Sequence, residues 1–498
     1  MSGGPGPDRS LDGYRERADH FLAELEEEAY RHFAGLKPEL ELAAIHGRYD
    51  DLTSLEQARR IGERVDGAGP MRELWRFACE GYLGAITRAD EEHLATLEAG
   101  LEANSDGARI AFRMLGPEIA NSRDRKRRGR LEQARSSLVE RELNPIMLDL
   151  RGRLRTAVLE LGSESAVDLY RRFGFPLDDL AAQSSSFLAE TEGLYERALE
   201  RLLDLRLGLR LDQVARYDTP RLFRAEHWDA AFPAGRMLAA LKATLAGLGI
   251  DLRGQQNVEI DVASRPSKTP RAFCAPIEIP GRIVLVISPI GGPDDWRALF
   301  HEAGHTEHYA HTPADLPFEY RRRGDDAVTE GWAFLFEGLI SAPAWLTRLL
   351  GEEEARELVW EGAVQKLYFV RRYCAKLQYE LELHAATDLT KMPARYVELQ
   401  RKATLIEPSA ADYLRDLDEG FYCTSYLRAW AFEARVSAHL CKRFGPGWFE
   451  SPEAGRLLRE LWSQGQRLNA DELLHELDGS RLDLVTLAAE LRETLEPA

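Results

Sequence analysis

The sequence predicts a mainly α-helical protein with a small β-sheet beside one functional helix. Three observations predict it. Apolar residues recur at three- and four-residue spacing, with charges between them, through most of the N-terminal half. A cluster of short β-branched segments begins near Val258. Helical patterning then resumes and runs to the C-terminus.

The helical half spans roughly Asp19 to Asp212, where FLAELEEEAYRHFAGL, LTSLEQARRIGERV and TEGLYERALERLLDLRLGL carry the pattern. Breaks such as DGAGP and FGFPLDD separate the helices. Next, VEIDVAS, RAFCAPIEI and RIVLVIS read as two or three strands of a small antiparallel sheet. PIGGPDD ends the last strand, and Gly292 followed by Pro293 starts a helix, with Asp294 and Asp295 in its first turn. The 498 residues divide on this reading into a flexible N-terminus over 1–17, a helical N-terminal lobe over 18–250, and a C-terminal region over 251–498 that holds the functional helix.

Composition narrows the function. Lys plus Arg total 65 against 83 Asp plus Glu, a formal charge of −18, which disfavours nucleic acid as a main partner. The basic run Arg123–Arg130 (RDRKRRGR) reads as a solvated helix face or loop. The N-terminus has no basic-then-apolar leader pattern, and no apolar run approaches the roughly 18 residues of a membrane helix. A cytoplasmic protein with no membrane partner is expected. Cys79, Cys274, Cys374, Cys423 and Cys441 are scattered with no CxxC pair, so neither a disulfide framework nor a cysteine zinc site is expected.

The chemistry lies in WRALFHEAGHTEHYAH, residues 296–311, which contains HEAGH. At about 100° per residue, His301 and His305 fall one turn apart on the same helical face, so both imidazoles can reach one ion. Glu302 projects from the adjoining face, placed to take a proton from a zinc-activated water. A single Zn2+ with Glu302 as general base is the expected centre. As ordinary core or surface histidines these residues would not need to crowd four to one short helix.

A catalytic zinc needs a third protein ligand. Glu330, in DDAVTEGWAFLFEGL, sits near the start of a second helix among aromatic and aliphatic neighbours. A carboxylate there is costly unless paired or metal-bound. His311 holds the third-histidine position of the metzincin pattern, but that pattern requires glycine where this chain has His308, and Met392 is the only methionine after the motif, with no Met-turn. Glu330 is the expected ligand; His308 is a further candidate.

These residues carry a resemblance. SRPSKTPRAFCAPIEIPGRIVLVIS, HEAGH and TEGWAFLFEGL resemble the core of the thimet oligopeptidase and oligoendopeptidase F family of gluzincin metallopeptidases, over roughly Val258 to the C-terminus. Lys268, Ala272, Phe273 and Cys274 match the family's strand before the zinc helix, and Glu330 its third ligand. GFYCTSYLRAWAFEA is similar to its tyrosine segment, with Tyr422 and Tyr426 as the hydroxyls, and ADELLHELDGSRLDLVTLAAEL to its C-terminal helices. The family's histidine before the tyrosines is replaced here by RDLDEG, and TEHYAHTPADLPFEYRRRGDD matches neither branch closely.

The resemblance implies helical lobes enclosing a cleft, with a small antiparallel sheet beside the zinc helix. It also implies hydrolysis of oligopeptides, with Tyr422 or Tyr426 donating to the oxyanion, a bond typically worth about 3 kcal/mol of barrier. As residues alone, these i,i+4 tyrosines are an ordinary packing pair. Arg428 is a candidate partner for a substrate carboxylate. Strand residues Phe273–Pro276 read either as an exposed edge that takes up an extended peptide or as a paired interior strand; Pro276 and Pro280 favour the edge. The expected activity is zinc endopeptidase; the alternatives are a metal-dependent carboxypeptidase and a non-catalytic zinc-binding helical scaffold.

Overall fold

The computed structural model describes residues 10–105, 107–349 and 351–496. The chain is mainly α, as the sequence predicts, with two small sheets among the described residues. Among the described residues, no helix is long and apolar enough to cross a membrane.

Two compact units form, and they do not follow the expected division near residue 250. One holds Met1–Gly81, His227–Arg356 and Arg428–Asp483; the other holds Tyr82–Glu226, Glu357–Leu427 and Leu484–Ala498. The N-terminal segment joins the first unit because its first helix, Leu11–Phe33, lies on the sheet there. Tyr30 from that helix and Ala34 just after it are buried with Ala275, Ile277, Val284 and Val286. The helix starts with Ser10, whose hydroxyl accepts from the Gly13 N–H at 3.0 Å, so residues 11–17 are helical rather than a flexible lead-in. Residues 1–9 of that expected segment lie outside the described residues.

In the second unit a hairpin interrupts the helical half: β1 (Glu102–Ser105) pairs antiparallel with β2 (Ala108–Ala111). The basic run is in part the solvated helix face or loop expected, with Arg123, Lys126 and Arg130 exposed, and in part an ion-pair network. Arg125 and Arg128 share the buried Asp218 at 2.9 and 2.7 Å, and Arg127 meets Glu118 at 2.7 Å.

The first unit contains β3 (Val258–Asp261), β4 (Phe273–Glu278) and β5 (Arg282–Val286), in the order β3-β5-β4. β4 and β5 are antiparallel, as expected of strands joined by a tight turn, but β3 runs parallel to β5. The sheet is therefore mixed, not antiparallel. The connection over 262–272 is long enough to cross to the far side of β5, and Lys268 pins it. Its buried ammonium donates to Asp261 O, Ile287 O and Ala263 O at 2.8, 2.9 and 3.2 Å, and to Asp261 Oδ1 at 3.1 Å. This satisfied lysine is a structural anchor.

Candidate metal centre

The helix that carries HEAGH spans Pro293–His311. Gly292 precedes it at φ 88°, a backbone region that favours glycine, and Pro293 fills the first turn, where no intrahelical donor is needed. Asp295 Oδ2 accepts from the N–H groups of Ile290 and Gly291 at 2.7 and 2.8 Å, which fixes the approach of the chain. The helix packs on β4 and β5, and most extensively on the Asp326–Leu339 helix. Gly304 makes that last contact possible: a Cβ there would sit 2.5 Å from Trp332 O and 2.6 Å from Ala333 Cα.

The partner helix begins at Asp325, which caps it by accepting from Ala327 N at 3.1 Å. Arg428 holds this cap, donating to Asp325 Oδ1 at 2.7 Å and to Asp471 Oδ2 at 3.2 Å. Both bonds are buried or nearly so at the guanidinium end, so Arg428 is committed to helix anchoring and not to a substrate carboxylate.

These two helices bring His301, His305 and Glu330 together, one ligand atom from each lying within 4.8 Å of the others. Glu330 Oε2 is 3.4 Å from His301 Nε2 and 3.8 Å from His305 Nε2. Tetrahedral zinc with bonds of about 2.0–2.1 Å spaces its ligand atoms roughly 3.3 Å apart. Two imidazole nitrogens and a carboxylate oxygen at this spacing fit a metal ion.

The other ring nitrogens are held. His301 Nδ1 lies 2.9 Å from Glu337 Oε2, and His305 Nδ1 lies 2.9 Å from Thr329 Oγ1. With those nitrogens donating, both Nε2 atoms keep their lone pairs for an ion. Thr329 in turn donates to Tyr309 Oη at 3.3 Å. On its other side the His301 ring stands edge-on to Phe334 at 5.2 Å, and Phe334 stacks on Trp430 at 5.1 Å.

The electrostatics favour positive charge here. Burial pulls the His301 pKa down, but hydrogen bonds to Glu330 and Glu337 outweigh it and carry the value up to about 10. Burial takes His305 down to about 4 and lifts Glu302 up to about 7. In the metal-free chain a proton on His301 thus offsets the surrounding carboxylates, the charge an ion would supply.

Glu302 does not join the ligand group. Its Oε2 accepts from the Cys274 N–H of β4 at 2.9 Å, so the candidate base is held at the rim of the sheet. β4 lies at an edge in the strand order and is not an interior strand, but its outward-facing groups are partly occupied, the Cys274 N–H by Glu302 and the Pro276 carbonyl by Arg322.

The remaining histidines turn elsewhere. His311 Nδ1 meets the carbonyl of Glu307 at 2.8 Å, and the ring lies 5.3 Å from Trp462. His308 is fully buried, with Nε2 3.3 Å from Gly465 O, and burial depresses its pKa to about 3. Neither belongs to the His301–His305–Glu330 group. Tyr422 and Tyr426 start the Tyr422–Phe444 helix, within the second compact unit, their rings T-stacked at 5.2 Å and Tyr426 against Tyr373 at 5.4 Å.

Sequence reasoning missed Thr329, Glu337 and the Cys274 N–H. Glu337 was detectable in principle, since it lies two turns beyond Glu330 on the same helix face. Thr329 and a backbone donor carry no comparable signal. No protein-family model matches the chain, and no curated protein matches it. The site stands on its own geometry: a buried group of two histidines and a glutamate that could hold a metal ion.

Proposed function

We propose that the chain is a zinc-dependent endopeptidase acting on oligopeptides, related to the thimet oligopeptidase and oligoendopeptidase F family. The observation that carries this reading is the buried His301–His305–Glu330 triangle with Glu302 beside it. The donor set favours zinc, since imidazole and carboxylate at tetrahedral spacing leave one position open.

When bound, zinc supplies Lewis acidity toward a carbonyl oxygen and makes water acidic enough to ionise near neutral pH. The residues of the chain do the rest. Glu337 and Thr329 hold the two imidazoles in the tautomer that leaves Nε2 open. Glu302 takes the proton of the attacking water at a carboxylate oxygen and passes it to the leaving amine. The Cys274 N–H keeps that carboxylate from rotating away. At the edge of β4 the Cys274 carbonyl offers a backbone acceptor to an extended peptide, a contact that needs little from the peptide's side chains. The polarising role of Tyr422 and Tyr426 rests on the family resemblance.

The test is metal analysis joined to peptide hydrolysis. Zinc-loaded protein is expected to cut unstructured peptides internally, with loss on chelation and recovery on adding zinc back. Mass analysis of the products separates internal cuts from C-terminal trimming. A zinc-loaded protein that cuts no peptide would end the hydrolytic reading in favour of a metal-binding scaffold.

A further inference from the structure

Along a strand, successive residues turn their backbone polar groups to opposite sides. In β4, Phe273 and Ala275 stand opposite Val286 and Val284 of β5. The intervening residues face the open edge: the Cys274 N–H reaches Glu302 at 2.9 Å, and the Pro276 carbonyl accepts from Arg322 Nη1 at 2.9 Å. Pro276 has no N–H to offer. Arg322 Nη2 also donates to Ile277 O at 2.8 Å, at the point where the β4–β5 register shifts. Only 5% of the Arg322 side chain is exposed, and its Nε is paired with Asp19 of the first helix. Arg321 braces the same place, bonding Asp19 Oδ2 at 2.8 Å and Ile279 O at 3.1 Å. The Cys274 carbonyl faces the same edge, and among the described residues no backbone hydrogen bond reaches it from outside the sheet.

We propose that Arg322 is a specificity-determining stop: a peptide docked on β4 pairs with the sheet as far as Cys274 and must leave it at Pro276. The inference rests on the proposed peptide-hydrolysing site. A peptide N–H competing for the Pro276 carbonyl would replace a charge-assisted hydrogen bond with a neutral one about half as strong. It would also strip Arg322 from a bidentate grip that Asp19 holds in place. The substrate class follows. These are extended peptides whose binding gains from added length on one side of the scissile bond and not on the other.

The test measures binding, so it is separate from turnover. Zinc-loaded Glu302→Gln protein is titrated with fluorescent peptides that share one centre and are lengthened separately at the N- or the C-terminus. Lengthening at one end is expected to tighten binding, while at the other end Kd stays within about twofold, less than one hydrogen bond contributes. Adding Arg322→Gln is expected to make the silent end responsive, with Kd falling about fivefold as one neutral hydrogen bond becomes available. Should that variant melt early, Asp19→Asn, which loosens Arg322 without removing it, is expected to shift the silent end in the same direction. Equal gains at both ends with Arg322 and Asp19 intact, no response to either folded variant, or no binding of any peptide would each overturn the stop. One-sided binding without turnover by the wild-type chain would leave the stop standing and remove the hydrolytic reading alone.

Discussion

Gly304 and the carbonyl of Trp332 are so close that a Cβ on the glycine would sit 2.5 Å from that oxygen. The fourth residue of the HEAGH motif is therefore also a point of close contact between the two helices that carry the candidate metal ligands. A methyl group there must push the Asp326–Leu339 helix away, and Glu330 moves with it. Gly304→Ala is expected to lower stability by about 1–3 kcal/mol, the usual range for overpacking, and to weaken zinc binding as well. Chemical denaturation and competition with a chromophoric chelator measure the two effects; an unaffected zinc Kd would dissociate the close contact from the site.

Glu337 and Thr329 contact the imidazoles of His301 and His305, so in the proposed centre they would act on the metal only through those rings. Glu337→Gln and Thr329→Val are each expected to weaken zinc affinity about 10–100-fold, the usual range for such partners. His311→Ala is expected to leave the affinity unchanged, because its ring faces Trp462 and the Glu307 carbonyl. The same chelator competition reads all three variants. Loss of zinc from His311→Ala, with retention in Glu330→Ala, would exchange the third ligand.

Glu302→Gln keeps a carbonyl oxygen for the Cys274 N–H and loses the basic site. Zinc content and melting temperature are expected to hold while kcat falls by at least about 10²–10⁴, the typical contribution of a general base. Turnover near the wild-type level in that variant would remove Glu302 from the mechanism.

In the proposed centre zinc would have to displace a proton from His301, whose pKa burial lowers but hydrogen bonds to Glu330 and Glu337 carry up to about 10. The sign follows: protons compete with the ion below that value, so apparent affinity rises with pH across the neutral range, by about tenfold per unit for one displaced proton. Calorimetry in buffers of different ionisation enthalpy counts the proton released. No proton release at pH 7 would mean that His301 is already neutral there.

If Tyr422 or Tyr426 donates to the oxyanion, replacing that one by phenylalanine is expected to cost about 10²-fold in kcat, with KM little changed. Two phenylalanine variants of full activity would leave the pair as packing residues, in keeping with their T-stacked rings.

The ligand histidines were legible because both lie on one helix, where a fixed rotation per residue relates spacing to face. The position of Glu302 on the adjoining face was legible for the same reason, and so was the predominance of helix, which periodicity reports directly. The strand segments were legible too, but not their directions: β3 runs parallel to β5 because the 262–272 connection crosses the sheet, and Lys268 holds that crossing through four oxygens that adjacent sequence does not identify. The buried ion pairs of the basic run were not legible because the shared partner of Arg125 and Arg128, Asp218, lies far along the chain.

By itself the sequence determined which side chains could bind a metal and on which helical face they stand, since those relations are local and set by backbone geometry. The expected Glu330 meets the two histidines across the Gly304 contact, and tertiary structure alone decided the other distant groups: Glu337 and Thr329 behind the imidazoles, and Cys274 N–H against Glu302. Such pairings depend on how closely whole helices and strands can pack, a property of the folded chain and not of any short stretch of it.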